Sequence, residues 1–148
     1  MDGIVLGAIK TALQDASLVL PRSVFLTPHE SFLPSGVIFP AIGITDGRAL
    51  FTEGAGETDR ELFNARVICW AMMTIDGEEA MTGDGGIITL SERVMTVLHG
   101  NLLDLAACQN AVVWSCDPAT MFKSDTNQWY VKRVVGVRYE LEFDRGSR

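Results

Sequence analysis

The sequence is short of cations, cysteines, histidines and long apolar runs, and each shortage excludes a class of function. Twelve Lys plus Arg stand against nineteen Asp plus Glu, a net charge of −7, which is the wrong sign for a protein that neutralises nucleic-acid phosphates. The three cysteines, Cys69, Cys108 and Cys116, form no Cys-x-x-Cys pair and are odd in number. Neither a disulfide framework nor a cysteine-rich zinc site is expected, and a reducing compartment fits better. The longest charge-free stretch, Ser31 to Thr45, contains Pro34 and Pro40 and is too short to cross a bilayer as a helix. Asp2 stands where a secretory leader carries Lys or Arg, and Lys10 and Asp15 interrupt the apolar residues near it, so neither a signal peptide nor a membrane span is expected.

What is present is enough for one core. The chain has 148 residues, 47% of them hydrophobic and 21% charged, a balance that excludes disorder as a description of the whole. Residues 1–145 are expected to form one domain, with 146–148 as a tail.

Ile4, Val5, Ala8, Ile9, Ala12, Leu13 and Ala16 recur at helical steps, which predicts an amphipathic helix from about Asp2 to Ser17. Pro21, Pro28 and Pro34 punctuate an irregular connection. Val37 to Thr45 and Arg48 to Glu53 read as a β-hairpin turning at Asp46-Gly47. From Leu62 to Ile75 one alternate set of residues is wholly apolar and the other mixed, so a long strand buries one face and has the other partly covered by a second element or another chain. Gly77 to Gly86 reads as a mobile acidic tip. Thr89-Leu90-Ser91-Glu92 matches the capping box and predicts a second helix start. Ala111 to Cys116 is a short strand, Thr120 to Asn127 a polar loop, and the alternation from Trp129 to Asp144 predicts continuous strand. At ~3.3 Å per residue that strand is longer than a compact chain of this size, so it is expected to overshoot the body or bend near Gly136. The fold class is therefore α+β: a mainly antiparallel sheet of about five strands with two helices on one side, in the order α-β-β-β-α-β-β.

Chemistry is harder to find. His29-Glu30 lacks the second histidine of a metalloprotease helix, and His99 falls near the end of the second predicted helix, where the dipole favours a cation. Gly54-Ala55-Gly56 is followed by Glu57, Asp59 and Glu61, whose charges repel a phosphate. The acidic tip does not have EF-hand spacing. No catalytic residue, metal ligand or cofactor is assigned, and an enzyme is not expected. The charge layout is more informative. Acidic residues dominate from Glu53 to Asp104, whereas Lys123, Lys132, Arg133 and Arg138 reverse the sign over the last strand. Patches of opposite sign on one chain can meet head to tail and close a ring.

The order of elements resembles the tail-terminator family of long-tailed bacteriophages. The resemblance rests on the amphipathic opening helix, the strand Phe39-Pro40-Ala41-Ile42-Gly43-Ile44, the long middle strand, the second helix and the closing run from Arg133 to Glu142. It implies a non-enzymatic virion protein, assembled in the bacterial host cytoplasm, that forms a homohexameric ring. The ring caps the completed tail tube, stops addition of the tail tube protein and presents the surface to which the head-completion (neck) protein attaches. No specific nucleic acid and no membrane enter that role. Lys132, Arg133 and Arg138 are expected to face Glu57, Asp59 or Glu61 of a neighbouring copy, so charge reversal at Arg138 is expected to weaken the ring. The alternatives are another neck or connector protein of the same particle, or a small cytosolic enzyme with an acidic pocket.

Overall fold

The structure, a computed structural model, describes residues 1–53, 56, 58–73, 77–123 and 127–144. Its elements are α1 (Asp2–Asp15), a 3₁₀ turn (Pro21–Ser23), β1 (Val24–Leu26), β2 (Ala41–Glu53), β3 (Thr58–Met72), α2 (Gly77–Thr82), α3 (Ile87–Leu98), β4 (Cys108–Cys116), β5 (Thr120–Lys123) and β6 (Trp129–Asp144). They form a six-stranded sheet in the order β1-β2-β3-β6-β4, with β5 sharing the β4 edge of β6. Only the β1–β2 pair is parallel; every other pair among the described residues is antiparallel. The α+β class and the mainly antiparallel sheet are as the periodicities predict.

The helices lie on one face because their apolar residues do. Val5, Ile9 and Leu13 of α1 are fully buried, as are Ile87, Val94 and Leu98 of α3. They meet the odd-numbered residues of the central strands, among them Phe63, Val67, Val135, Val137 and Tyr139, in one cluster. Strand alternation sends the even-numbered residues to the other face. There Ile68, Trp70 and Val134, joined by Ala41 of β2, whose register opposite Trp70 gives odd numbers to this face, form a second, smaller cluster, covered by Phe25, Leu33, Val37, Phe39 and Phe122. The mixed face of the middle strand is thus covered around Ile68 and Trp70 from within the chain, by the proline-punctuated segment 27–40 acting as a strap together with Phe25 and Phe122. The Phe25 ring stacks on the Trp70 indole at 5.5 Å, and Ser23 donates a hydrogen bond to the Ile38 carbonyl at 2.7 Å.

Five local expectations change. Thr120–Lys123, expected as part of a polar loop, is strand β5, paired antiparallel with Trp129–Lys132 of β6. Asp46-Gly47 is not a hairpin turn but a bulge inside β2, where the register with β3 slips between Asp46 and Ala49; Gly47 serves there by close approach, since an added Cβ would lie 2.7 Å from the Asn64 carbonyl oxygen. The hairpin instead joins β2 to β3, through residues that are partly outside the described set. Within the acidic tip, Gly77–Thr82 is a turn of helix, α2, seated by buried Ala80. Helix α3 begins at Ile87 with Gly86 as its N-cap, upstream of the Thr89 capping box, because the apolar side chain of Ile87 is needed in the core. Finally, β6 is no free arm: β3 flanks it from Tyr130 to Asp144, and β4 and β5 cover much of its other edge.

Candidate interaction surface

Beyond the strap, the even-numbered face of the sheet is open and forms a trough of about 440 Å³ between Arg48, Arg66, Arg138 and Trp114. Its floor is low because Gly136 has no side chain; an added Cβ there would meet the Ser115 hydroxyl and lie 3.1 Å from Trp114 Nε1. One line of contacts crosses four strands. Asn64 on β3 donates through Nδ2 to the Arg48 carbonyl of β2 at 2.7 Å. Arg138 on β6 donates through Nε to Asn64 Oδ1 at 3.3 Å, and its guanidinium lies over the Trp114 ring of β4, 5.0 Å from the centroid. Such a cation–π contact draws the guanidinium toward the ring face. Arg66 is ion-paired with Glu30 of the strap, whereas Arg48 and Arg138 have no ion-pair partner among the described residues. Trp114 is 53% exposed.

The cations expected from sequence do not share a face. Arg138 is on the open face and exposed. Lys132, on the same face, donates to Ser31 Oγ of the strap at 3.2 Å and lies over the Phe122 ring. Arg133 points the other way, donating through Nη1 to Ser91 Oγ of α3 and through Nε to the Asp117 carbonyl, both at 3.0 Å. The acids are also separated from these cations. Asp59 and Glu61 are buried on the helix side of β3, 7% and 2% exposed, so as placed they offer a neighbour little. Glu57 lies outside the described residues. Arg48, Asn64, Arg66 and Trp114 were not among the expected site residues. The alternation places Asn64 and Arg66 on the mixed face, but their meeting with Arg138 depends on the pairing Asn64↔Arg138, which no local pattern encodes.

The remaining reactive side chains are engaged in structure. His29 Nδ1 accepts from the Ser31 amide and His99 Nδ1 accepts from the Val113 amide, each at 3.1 Å. Burial pushes the Cys69 thiol far up, with Cys116 adding to the shift and Arg133 opposing it. Burial likewise raises Cys108 and Cys116, so these thiols are held in the protonated, poorly nucleophilic form. Among the described residues no group of three or more His, Cys, Asp or Glu is placed to hold a metal ion, and no helix is long and apolar enough to cross a membrane.

The sheet thus carries helices on one face and a cationic, aromatic trough on the other. No family model and no curated protein sequence matches the chain. The fold is similar to that of a chain in the virion of a native gene transfer agent (GTA) particle, with a TM-score of 0.56 and 13% identity, covering 91% of this chain and 93% of that one.

Proposed function

We propose that this protein is a virion structural component that assembles into a homohexameric ring on the end of a completed tail tube. There it halts addition of tube subunits and offers the surface to which the neck protein of the head attaches. The observation that carries this reading is the likeness of fold to a chain of a virion particle over most of both chains. The order of elements, which resembles that of tail terminators, supports the same reading from the sequence side. So does the surface: Phe51, Met121 and Trp129 are large apolar side chains left exposed, in addition to Trp114, and repeated contacts between identical subunits multiply small individual gains. The role needs no cofactor and no catalytic residue. It puts the protein in the tail or neck of the particle, after assembly in the host cytoplasm.

The test is to add purified protein to polymerising tail-tube subunits and to image its own assemblies by negative stain. Rings, together with tubes that stop growing and carry a ring at one end, are the expected result. Binding to portal-bearing heads but not to tubes would move the protein to the neck. A monomer at every concentration, with no effect on tube length, would overturn the proposal.

A further inference from the structure

We infer that the arginine trough receives the acidic α2–α3 corner of a second copy, so that the ring contact runs from the open sheet face of one subunit to the helix face of the next. This rests on the ring reading above and adds which surfaces meet. The trough carries two guanidiniums, Arg48 and Arg138, without a carboxylate partner among the described residues, and the one acid lining it is Asp117. An arginine offers five N–H donors in a planar fork suited to a carboxylate; Arg138 uses Nε on Asn64 and lies over the Trp114 ring, 5.0 Å from its centroid, which leaves its other N–H groups for a partner. Exposed Trp beside Arg in a concavity is the composition that dominates binding energy at protein interfaces. The occupant it selects is acidic.

The chain carries that occupant on its opposite side. Glu78 and Glu79 of α2, Asp84 of the α2–α3 turn and Glu92 of α3 are all exposed, with Arg93 the exposed cation beside them. A cationic front and an acidic back on one rigid body make a heterologous contact, which repeats and closes into a ring when its rotation allows. A nucleic acid would also satisfy arginines and an exposed indole, but it would have to approach a chain of net charge −7, whose field opposes it.

Three paired variants test the contact by light scattering after size exclusion at about 0.1 M salt, where charges more than a Debye length apart are largely screened. Arg48→Glu with Arg138→Glu, and separately Glu78→Lys with Glu79→Lys, are each expected to weaken self-association by about tenfold or more. Mixing the two should restore it, and Lys10→Glu with Arg22→Glu, the same change of net charge away from the trough, should leave it unaltered. If the Arg pair lowers the melting temperature, Arg48→Gln with Arg138→Gln replaces it. Rings that persist in both variants would overturn this contact while leaving the ring reading intact; a wild-type protein that never associates would overturn both. Loss of association in the Arg variant alone, without rescue by the Lys variant, would mean that the trough takes a different partner. Binding of a single-stranded oligonucleotide that the Arg variant abolishes, with assembly mass unchanged, would make it a nucleic-acid site.

Discussion

Gly43 on β2 lies under the indole of Trp70 so closely that an added Cβ would come within 2.6 Å of two ring carbons. Trp70 is fully buried, with Phe25 stacked on it, so the ring has nowhere to retreat. Gly43→Ala is expected to lower stability by about 1–3 kcal/mol, the range for overpacking a filled core, read as a drop in the urea midpoint at unchanged slope. An unchanged midpoint would show that the indole can shift. Buried protons supply a second residue-scale expectation. Burial pushes the Cys69 thiol up from 9.0, the value of an unperturbed thiol, and the Tyr139 phenol up from 10.0. Between the unfolded and folded values the native state holds protons that the unfolded chain has released, so stability is full below about pH 9 and falls as pH rises beyond it. Urea midpoints should be level from about pH 7 to 8.5 and then decline, with Cys69→Ala making the first part of the decline, which Cys108 and Cys116 share, shallower and Tyr139→Phe the later part. A level profile through pH 10.5 (roughly the ordinary Tyr range) would exclude both groups as its source.

At the scale of elements, Arg133 is a fastener. Its hydrogen bonds to Ser91 of α3 and to the carbonyl of Asp117 tie the central strand to a helix and to the β4–β5 connection. Hydrogen bonds to a charged group contribute roughly 1.5–3 kcal/mol, so Arg133→Met should cost about that much stability while leaving assembly mass unchanged. A lower mass with stability intact would return Arg133 to the subunit interface. The strap behaves differently. Its Glu30–Arg66 ion pair is partly exposed, 27% and 42% for the two side chains, and such pairs contribute about 0–1 kcal/mol. Glu30→Gln should therefore barely move the global midpoint, yet speed amide exchange within residues 27–40. Strand β6 was legible from end to end because alternation over sixteen residues has one structural meaning. The strap was not: Val37 to Pro40 is as apolar as a strand, because these residues cover Trp70 and Ile68 from above rather than pairing beside them. The faces of the trough residues could be read from their parity, but not their meeting, since Arg138 and Asn64 are 74 positions apart. Counting charge along the chain also grouped Arg133 with Lys132 and Arg138, which the pleat sends to opposite faces.

For the whole molecule, two electrostatic effects compete, and their ranges decide which wins. Each copy carries −7. Two such charges at a centre separation of roughly 35 Å repel by about 6 kcal/mol in unscreened water. Screening cuts this to about 2 kcal/mol at 0.01 M salt, where the Debye length is ~30 Å, and to about 0.2 kcal/mol at 0.1 M, where it is ~10 Å. A carboxylate seated against Arg48 or Arg138 acts over only ~4 Å, where each pair is worth about 1 kcal/mol in water and more once partly desolvated, so it survives 0.1 M salt and fades near 1 M, where the Debye length is ~3 Å. Self-association followed by light scattering should therefore rise from about 0.01 M to 0.1 M salt as the general repulsion is screened, and fall again toward 1 M as the trough contacts are. A steady rise to the highest salt would instead assign the contact to exposed apolar side chains such as Phe51, Met121 and Trp129, because salt strengthens apolar burial while it erases ion pairs.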